Sequence, residues 1–222
     1  RDLTVTGVQT CALPISQRTM NTHLGISSHL STADVAPDLV ASASHLYCEG
    51  YLWDTEEAKA AIRHAMDLAR AAGRMVSLTL SDGFCVDRHR DEWRELIVDR
   101  VDVAFGNADE FRALYEVDDL AHAADAVAGD VDVAFVTLGK AGSLVVSGSD
   151  RIRVVADELD HGVVDTTGAG DLYASGVLTG LSRGASLESA ARLGSVAAAE
   201  IIGHLGARPE ADLAAIAEQI LG

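Results

Sequence analysis

The chain contains 222 residues, and its 48% hydrophobic content is sufficient for the core of one α/β domain. The 34 acidic residues outnumber the 17 basic ones, and the net charge of −17 argues against a nucleic-acid partner. Three cysteines are too few for a disulfide framework, and no apolar run is long enough to span a membrane. The composition therefore predicts a cytoplasmic enzyme with no membrane partner.

The first sixteen residues differ in character from the rest of the chain. The run from Val5 to Ile15 reads like the in-frame translation of a sequencing-library adapter, and it lacks the basic start and cleavage site of a signal peptide. We therefore expect residues 1–16 to be an artefact and residues 17–222 to be a partial domain whose N-terminal part is missing. The alternative is a genuine N-terminal strand and loop.

Segments with the periodicity of strands and of helices alternate along the chain, as βαβ units require. The predicted strands are residues 45–51, 75–80, 101–105, 131–137, 143–147 and 151–156. The predicted helices are residues 54–73, 91–98, 107–115, 118–128, 172–181 and 187–202. Several strands are apolar on both faces, which predicts an α/β fold with a mostly parallel sheet covered by helices on both faces, a three-layer αβα arrangement.

Individual residues mark where several of these elements begin and end. Asp54 and Glu57 have the spacing of a capping box and are predicted to begin the helix that Gly73 ends. Cys85 is predicted to lie in a loop before the short helix 91–98. His204 follows the last long helix and is predicted to be a structural histidine rather than a catalytic one.

The strand at 101–105 leads into Asn107-Ala-Asp-Glu110. Asn107 can cap the following helix while Glu110 closes a capping box, and this helix chemistry is the preferred interpretation of the pair alone. Ligands of such a sheet bind beyond the carboxyl ends of its strands, so the same two residues are also predicted to lie near a ligand. Both roles can hold at once.

A glycine turn interrupts the β-rich run at 131–137. It comprises Thr137-Leu-Gly139-Lys140-Ala-Gly142, after which an apolar strand resumes. It is not a Walker A loop, because no glycine lies five residues before Gly139-Lys140 and no serine or threonine follows the lysine. Taken alone, the segment is a plain hairpin turn.

The run Asp165-Thr-Thr-Gly168-Ala-Gly-Asp171 is the most informative stretch of the chain. The small residues 168–170 allow backbone N–H groups to approach an anion closely, and the positive end of the next helix dipole points the same way. Phosphate would repel a carboxylate at the rim of such a pocket, so Asp171 is predicted to act as a general base on an attacking hydroxyl. The alternative is an ordinary βα turn in which Asp171 caps the helix.

This complete run resembles the signature of the ribokinase-like, or PfkB, family of carbohydrate and nucleoside kinases. The resemblance implies a ribokinase-like fold and an ATP-dependent kinase. It also implies that Asp171 is the catalytic base, that the backbone of Gly168, Ala169 and Gly170 forms the anion hole, and that Asp165 and Thr167 help to hold a monovalent cation, expected to be K⁺.

The upstream motifs extend the resemblance. Asn107 and Glu110 match the family's Asn-x-x-Glu element, which implies that Glu110 acts on Mg²⁺ through water and that Asn107 lies near the nucleotide phosphates. Thr137, Gly139 and Gly142 match the turn that lies beside ATP in the family.

The last matching motif is Gly206-Ala207, which resembles the family's C-terminal turn, where carbonyl groups complete the cation site. Residues 18–22 and 81–90 resemble bacterial adenosine kinases and PfkB sugar kinases. Residues 17–222 would then be the C-terminal portion of a kinase domain, carrying the ATP site and the catalytic base.

Several functions follow from the resemblance, and all take a small-molecule substrate. Phosphorylation of adenosine is preferred, and the alternatives are a sugar kinase acting on ribose, fructose or a keto-deoxy sugar acid, or a non-catalytic nucleotide-binding fragment or regulator. The full-length protein is a possible homodimer by the same analogy.

Overall fold

The structure is a computed structural model that describes residues 9–12, 18–21, 24–157 and 162–222. Of the segment expected to be an artefact, only 9–12 is among the described residues. The strands are β1 (Gln9–Ala12), β2 (Arg18–Asn21), β3 (His45–Glu49), β4 (Met75–Thr79), β5 (Val103–Asn107), β6 (Val133–Thr137), β7 (Ser143–Ser147) and β8 (Asp150–Val154). The helices are α1 (Pro37–Ser42), α2 (Glu56–Ala71), α3 (Gly83–Arg100), α4 (Ala108–Tyr115), α5 (Leu120–Asp130), α6 (Ala169–Ser182), α7 (Leu187–Ile202) and α8 (Leu213–Leu221).

Six strands form one sheet in the order β3-β4-β5-β6-β7-β8. The first four are mutually parallel, and β7 and β8 add antiparallel pairs at one edge. Strands β1 and β2 form a separate antiparallel pair. The parallel strands bring their carboxyl ends to the same edge of the sheet, which is the edge where ligands bind in open α/β sheets.

Alternate residues of the central strands face two separate cores. In β5, Val103 and Phe105 pack in the same cluster as α6 and α7, whereas Ala104 packs in the cluster that α2, α3, α4 and α5 complete. In β6, Phe135 and Val136 are divided in the same way. Strands that are apolar on both faces are typical of a sheet buried between two helical layers, so the predicted three-layer αβα arrangement is confirmed.

The start of helix α2 differs from the prediction. Thr55, rather than Asp54, is its N-cap, and the Thr55 hydroxyl accepts a hydrogen bond from the backbone N–H of Ala58. Asp54 instead lies 2.9 Å from His89 and 3.1 Å from Arg88, so the predicted Asp54–Glu57 capping box is wrong. The end is as predicted, because Gly73 follows α2 with a φ of +66°.

Helix α3 is longer than the predicted segment 91–98. Asp82 caps it by accepting a hydrogen bond from the N–H of Cys85, and the helix continues to Arg100 with a local kink at His89. The prediction that Cys85 lies in a loop is therefore wrong, and its side chain is buried. The polar run at 87–91 hides the apolar periodicity that would indicate a helix.

Helix α6 begins at Ala169, three residues before the predicted start, and Asp171 therefore lies in its first turn. The helix packs tightly on α7, because a Cβ atom on Gly176 would lie 2.8 Å from the backbone of Gly194. This close approach fixes the N-terminus of α6 at the edge of the sheet. None of the helices in the described part of the chain is long and apolar enough to cross a membrane.

Candidate active site

A cavity of about 710 Å³ opens at the carboxyl ends of the parallel strands. Strands β3 to β6, the loop before α6 and the turn after α7 all contribute to its walls. The predicted site residues that line it are Asn107, Glu110, Thr137, Asp165, Thr167, Gly168, Ala169, Gly170, Asp171 and Gly206. Residues from sequence segments about 100 positions apart thus converge, as the predicted topology requires.

Gly168 gives the loop before α6 its shape. Its φ of +83° is a left-handed conformation that favours glycine, and a Cβ atom there would lie 3.2 Å from the Cβ of Ala207. A side chain caps the first turn of α2 to α5, α7 and α8, whereas α1 and α6 have no side-chain cap within the described residues. The N-terminal end of α6 faces the cavity, so its partial positive charge favours an anion there.

Asp165 connects this loop to the turn after α7. One carboxylate oxygen accepts hydrogen bonds from the Thr167 N–H at 2.9 Å and the Thr167 hydroxyl at 2.7 Å. The other accepts from the N–H of Gly206 at 3.2 Å. The three residues predicted to surround a monovalent cation are therefore adjacent, and Asp165 and Thr167 carry side-chain oxygen atoms of the kind that hard cations prefer.

Asn107 and Glu110 form the capping box that the sequence predicted. Glu110 accepts hydrogen bonds from the backbone N–H and the side-chain amide of Asn107 at 2.9 and 2.6 Å, while the Glu110 N–H donates to Asn107 Oδ1. Burial raises the pKa of Glu110, whose residue is only 7% exposed. The same carboxylate lines the cavity, so helix capping and a position at the candidate site hold together.

Glu49, which was not predicted as a site residue, lies at the carboxyl end of β3 and lines the cavity. Partial burial raises its pKa, and the negative charge of Asp171 adds to the effect. With Glu110 and Asp165, these residues give the described lining four carboxylates, while it includes no lysine, arginine or histidine. A negatively charged ligand would therefore need backbone N–H groups and bound cations for its stabilisation.

Ser81 also lines the cavity and was not predicted. Its φ is +65°, an uncommon conformation for a residue with a side chain. The hydroxyl accepts a hydrogen bond from the N–H of Gly50 at 2.8 Å, and the carbonyl accepts one from the Tyr51 hydroxyl at 3.0 Å. The wall between β3 and α3 is thus held in one defined geometry.

A second cavity of about 420 Å³ adjoins the first. The two share Thr137, Thr166, Ala169, Gly170 and Tyr173. The predicted residues Gly139 and Gly142 line this second cavity and not the first. Its remaining wall is largely apolar and includes Val163, Ala198, Ala199 and Ile202.

Gly142 is required by packing as well as by conformation. Its φ is +89°, and a Cβ atom would lie 2.0 Å from the carbonyl oxygen of Val154. The turn between β6 and β7 can therefore approach β8 closely only with glycine at this position. The sequence identified this residue by resemblance, and the structure gives the physical reason for it.

Two solved structures are similar over almost the whole chain. The adenosine kinase from Sinorhizobium meliloti is 47% identical with a TM-score of 0.91, and a "probable sugar kinase protein" from Rhizobium etli is 43% identical with the same score. Each comparison covers 95% of this chain and 64% of the other chain. The cytidine kinase of Thermococcus kodakarensis is 34% identical over 142 residues, which are 63% of this chain and 51% of that enzyme.

The chain thus spans about half to two thirds of the length of these relatives. Residues 4–213 match the model of the pfkB family of carbohydrate kinases. This match covers most of the chain and includes the signature run at 165–171. The chain belongs to the pfkB carbohydrate kinase family.

Proposed function

We propose that the protein is an ATP-dependent phosphotransferase that phosphorylates a primary hydroxyl group of a nucleoside or sugar. The observation that carries this proposal is the position of Asp171 in the first turn of α6, directly after Gly168-Ala-Gly and at the wall of the cavity. A carboxylate beside an anion-binding helix N-terminus suits the removal of a proton from a hydroxyl that attacks phosphorus.

In the proposed reaction, the acceptor oxygen bonds to the γ-phosphorus while the bond from that phosphorus to the β,γ-bridging oxygen breaks. ADP leaves with the electron pair of the broken bond, and Asp171 takes the proton of the acceptor hydroxyl. The backbone N–H groups of residues 168–170 stabilise the charge on the transferring phosphoryl group. Because the described lining of the cavity is acidic, this local stabilisation is essential.

The same proposal assigns cations to two sets of oxygen atoms. Glu110, oriented by Asn107, would position Mg²⁺ through water, and Asp165 with Thr167 and the turn at Gly206 would hold K⁺. Bound Mg²⁺ supplies positive charge against the phosphate oxygens. Glu110 suits this role because Asn107 fixes its carboxylate at the cavity wall with two hydrogen bonds.

The nucleotide would lie across both cavities. Thr137 belongs to the strip that the cavities share, and Gly139 and Gly142 line the second cavity, whose apolar wall suits a nucleobase. The γ-phosphate would then lie at the N-terminus of α6, whose first residues Ala169 and Gly170 belong to the shared strip. A cytoplasmic location and homodimerisation of the whole protein are further parts of the proposal.

Adenosine is the preferred acceptor, because the adenosine kinase of Sinorhizobium meliloti shares 47% identity with this chain. The 43% identity to the Rhizobium etli protein keeps a sugar such as ribose, fructose or a keto-deoxy sugar acid as an alternative.

The test measures ATP binding by calorimetry and acceptor-dependent ADP release as two separate quantities. The acceptors are adenosine, cytidine, ribose, fructose and a keto-deoxy sugar acid, each with Mg²⁺ and K⁺ present. We expect saturable ATP binding and the fastest ADP release with adenosine. ATP binding without acceptor-dependent ADP release would favour a nucleotide-binding module, and absence of ATP binding would refute both functions.

A further inference from the structure

Among the residues described for the second cavity, one is a lysine. The chain contains two lysines, Lys59 and Lys140. Lys59 is buried, and its Nζ lies 2.7 Å from Glu92 and 3.0 Å from Glu56. Lys140 is exposed in the turn between β6 and β7, and within the described part of the chain it forms no ion pair. Lys140 is therefore the lysine whose charge is available to a ligand.

The charges around the two cavities make this position unusual. The described lining of the first cavity contains four carboxylates and no basic side chain. Among the described residues that line the second cavity, the charged ones are Lys140 and Asp157. The carboxylate of Asp157 already pairs with Arg192 at 2.7 Å. Lys140 is thus the cationic side chain that the described walls offer to a polyanion.

The order of the lining residues indicates which part of a nucleotide lies near Lys140. The N-terminus of α6 marks the end that suits a phosphoryl group, and the apolar wall at Ala198 and Ile202 marks the end that suits a base. The turn that carries Gly139 and Lys140 follows directly from Thr137, which belongs to the strip shared by both cavities. Lys140 itself lines the second cavity and not the first, so it lies on the base side of this strip, beside the phosphates between the base and the γ-phosphate.

We propose that the Lys140 ammonium group binds the non-transferred phosphates of the nucleotide, an inference that rests on the proposed function. This contact exists equally in bound ATP and bound ADP, so it contributes to nucleotide affinity and not to the transfer step. Loss of one charge-assisted contact at an exposed site corresponds to roughly a tenfold loss of affinity.

The first experiment compares Lys140→Met, which keeps the aliphatic stem but removes the charge, with Lys140→Arg, which keeps the charge. The matched control is Arg153→Met, because Arg153 is exposed on β8 and lines neither cavity. Calorimetry with ATP and with ADP should show about tenfold weaker binding of both nucleotides by Lys140→Met. Lys140→Arg and Arg153→Met should bind both within about twofold of the parent chain.

Unchanged ATP affinity in Lys140→Met would overturn the inference, and so would equal weakening in Arg153→Met. Weaker binding of ATP but not of ADP by Lys140→Met would overturn it too, because that result would indicate a contact with the γ-phosphate. A parent chain that fails to bind ATP would refute the proposed function itself. A parent that binds ATP while Lys140→Met binds it equally well would refute only the role of Lys140. The two failures are therefore distinguishable.

A second experiment follows the chemical modification of each lysine, because the chain contains two of them. Acylation of the folded protein with an amine-reactive ester, followed by mass spectrometry, reports each lysine separately. ATP or ADP should lower the rate of Lys140 modification roughly in proportion to the fraction of protein that has nucleotide bound. Buried Lys59 should be modified slowly with or without nucleotide. Modification of Lys140 at an unchanged rate in saturating ATP would contradict the proposed contact.

Discussion

Glu49 shows at the residue scale how the acidic cavity affects stability. Its carboxylate remains accessible at the end of β3, but the surrounding protein removes part of its hydration, and Asp171 lies near enough to disfavour its charge. Both effects raise the pKa of Glu49 above its usual value. The folded state therefore binds this proton more tightly than the unfolded state does.

We predict that Glu49→Gln makes the protein more stable at pH 7. Because the pKa of Glu49 is raised, stability declines as the pH rises from the ordinary value of 4.5 through the raised value, and it then stays constant. The variant loses this penalty, so its advantage at pH 7 should shrink as the pH falls and disappear below about 4.5. Thermal unfolding at several pH values measures the difference.

The matched control is Glu95→Gln, since Glu95 is exposed on α3 and lines neither cavity. It should leave the unfolding temperature nearly unchanged across the same pH range. If Glu49→Gln were less stable than the parent at pH 7, the inferred repulsion between the cavity carboxylates would be wrong.

Some residues of the candidate site could be predicted from their neighbours in the sequence, and others become recognisable only in the folded structure. Gly168 and the Asn107–Glu110 capping box were predictable because backbone conformation and helix capping depend on neighbouring residues. Glu49 and Ser81 were missed because they become part of the site only when β3 and β4 are placed beside β5. The signal that could have indicated Glu49 was a carboxylate near the carboxyl end of the predicted strand 45–51.

At the scale of elements, the packing of α6 on α7 holds the predicted catalytic residue in place. The two helices approach closely because Gly176 and Gly180 face Gly194 and Ala190. A Cβ atom at Gly176 would lie 2.8 Å from the Gly194 backbone, a contact that neither helix can relieve by a side-chain rotation. The position of the α6 N-terminus therefore depends on a glycine two turns away from it.

We predict that Gly176→Ala destabilises the protein by about 2 kcal/mol or more, because the helices must separate to admit the methyl group. The control is Gly129→Ala in α5, where a Cβ atom meets no heavy atom within 4 Å. That change should stabilise the fold by roughly 0.5–1 kcal/mol through helix propensity. Chemical denaturation measures both, and equal effects of the two substitutions would contradict the packing argument.

The bounds of a helix or strand could be predicted where its apolar periodicity agrees with the turn or capping residues at its ends. Helix α7 and strand β7 have the predicted bounds, since each combines a clear apolar pattern with a distinct turn. Helix α3 was underestimated because the polar run at 87–91 interrupts its apolar pattern, and tertiary contacts such as the Asp54–His89 pair hold it in place. Helix α8 was absent from the prediction, although Asp212 caps it in the expected manner.

At the scale of the whole molecule, a net charge of −17 opposes the binding of a nucleotide that is itself negatively charged. The acidic lining of the first cavity adds to this repulsion locally. We predict that removal of Mg²⁺ with EDTA weakens ATP binding by at least about tenfold and that added Mg²⁺ restores it. AMP, which carries less charge, should be affected far less, and equal ATP affinity with and without Mg²⁺ would contradict this view.

The role of Asp171 as the general base is tested most directly by the rate of ADP release by Asp171→Asn with the best acceptor, compared with the parent chain. Glu188→Gln is the control, because Glu188 also lies in the first turn of a helix but lines neither cavity. We predict that Asp171→Asn lowers kcat by about a thousandfold or more while ATP affinity stays within about twofold. Turnover of Asp171→Asn within about tenfold of the parent would contradict the assignment of Asp171 as the general base.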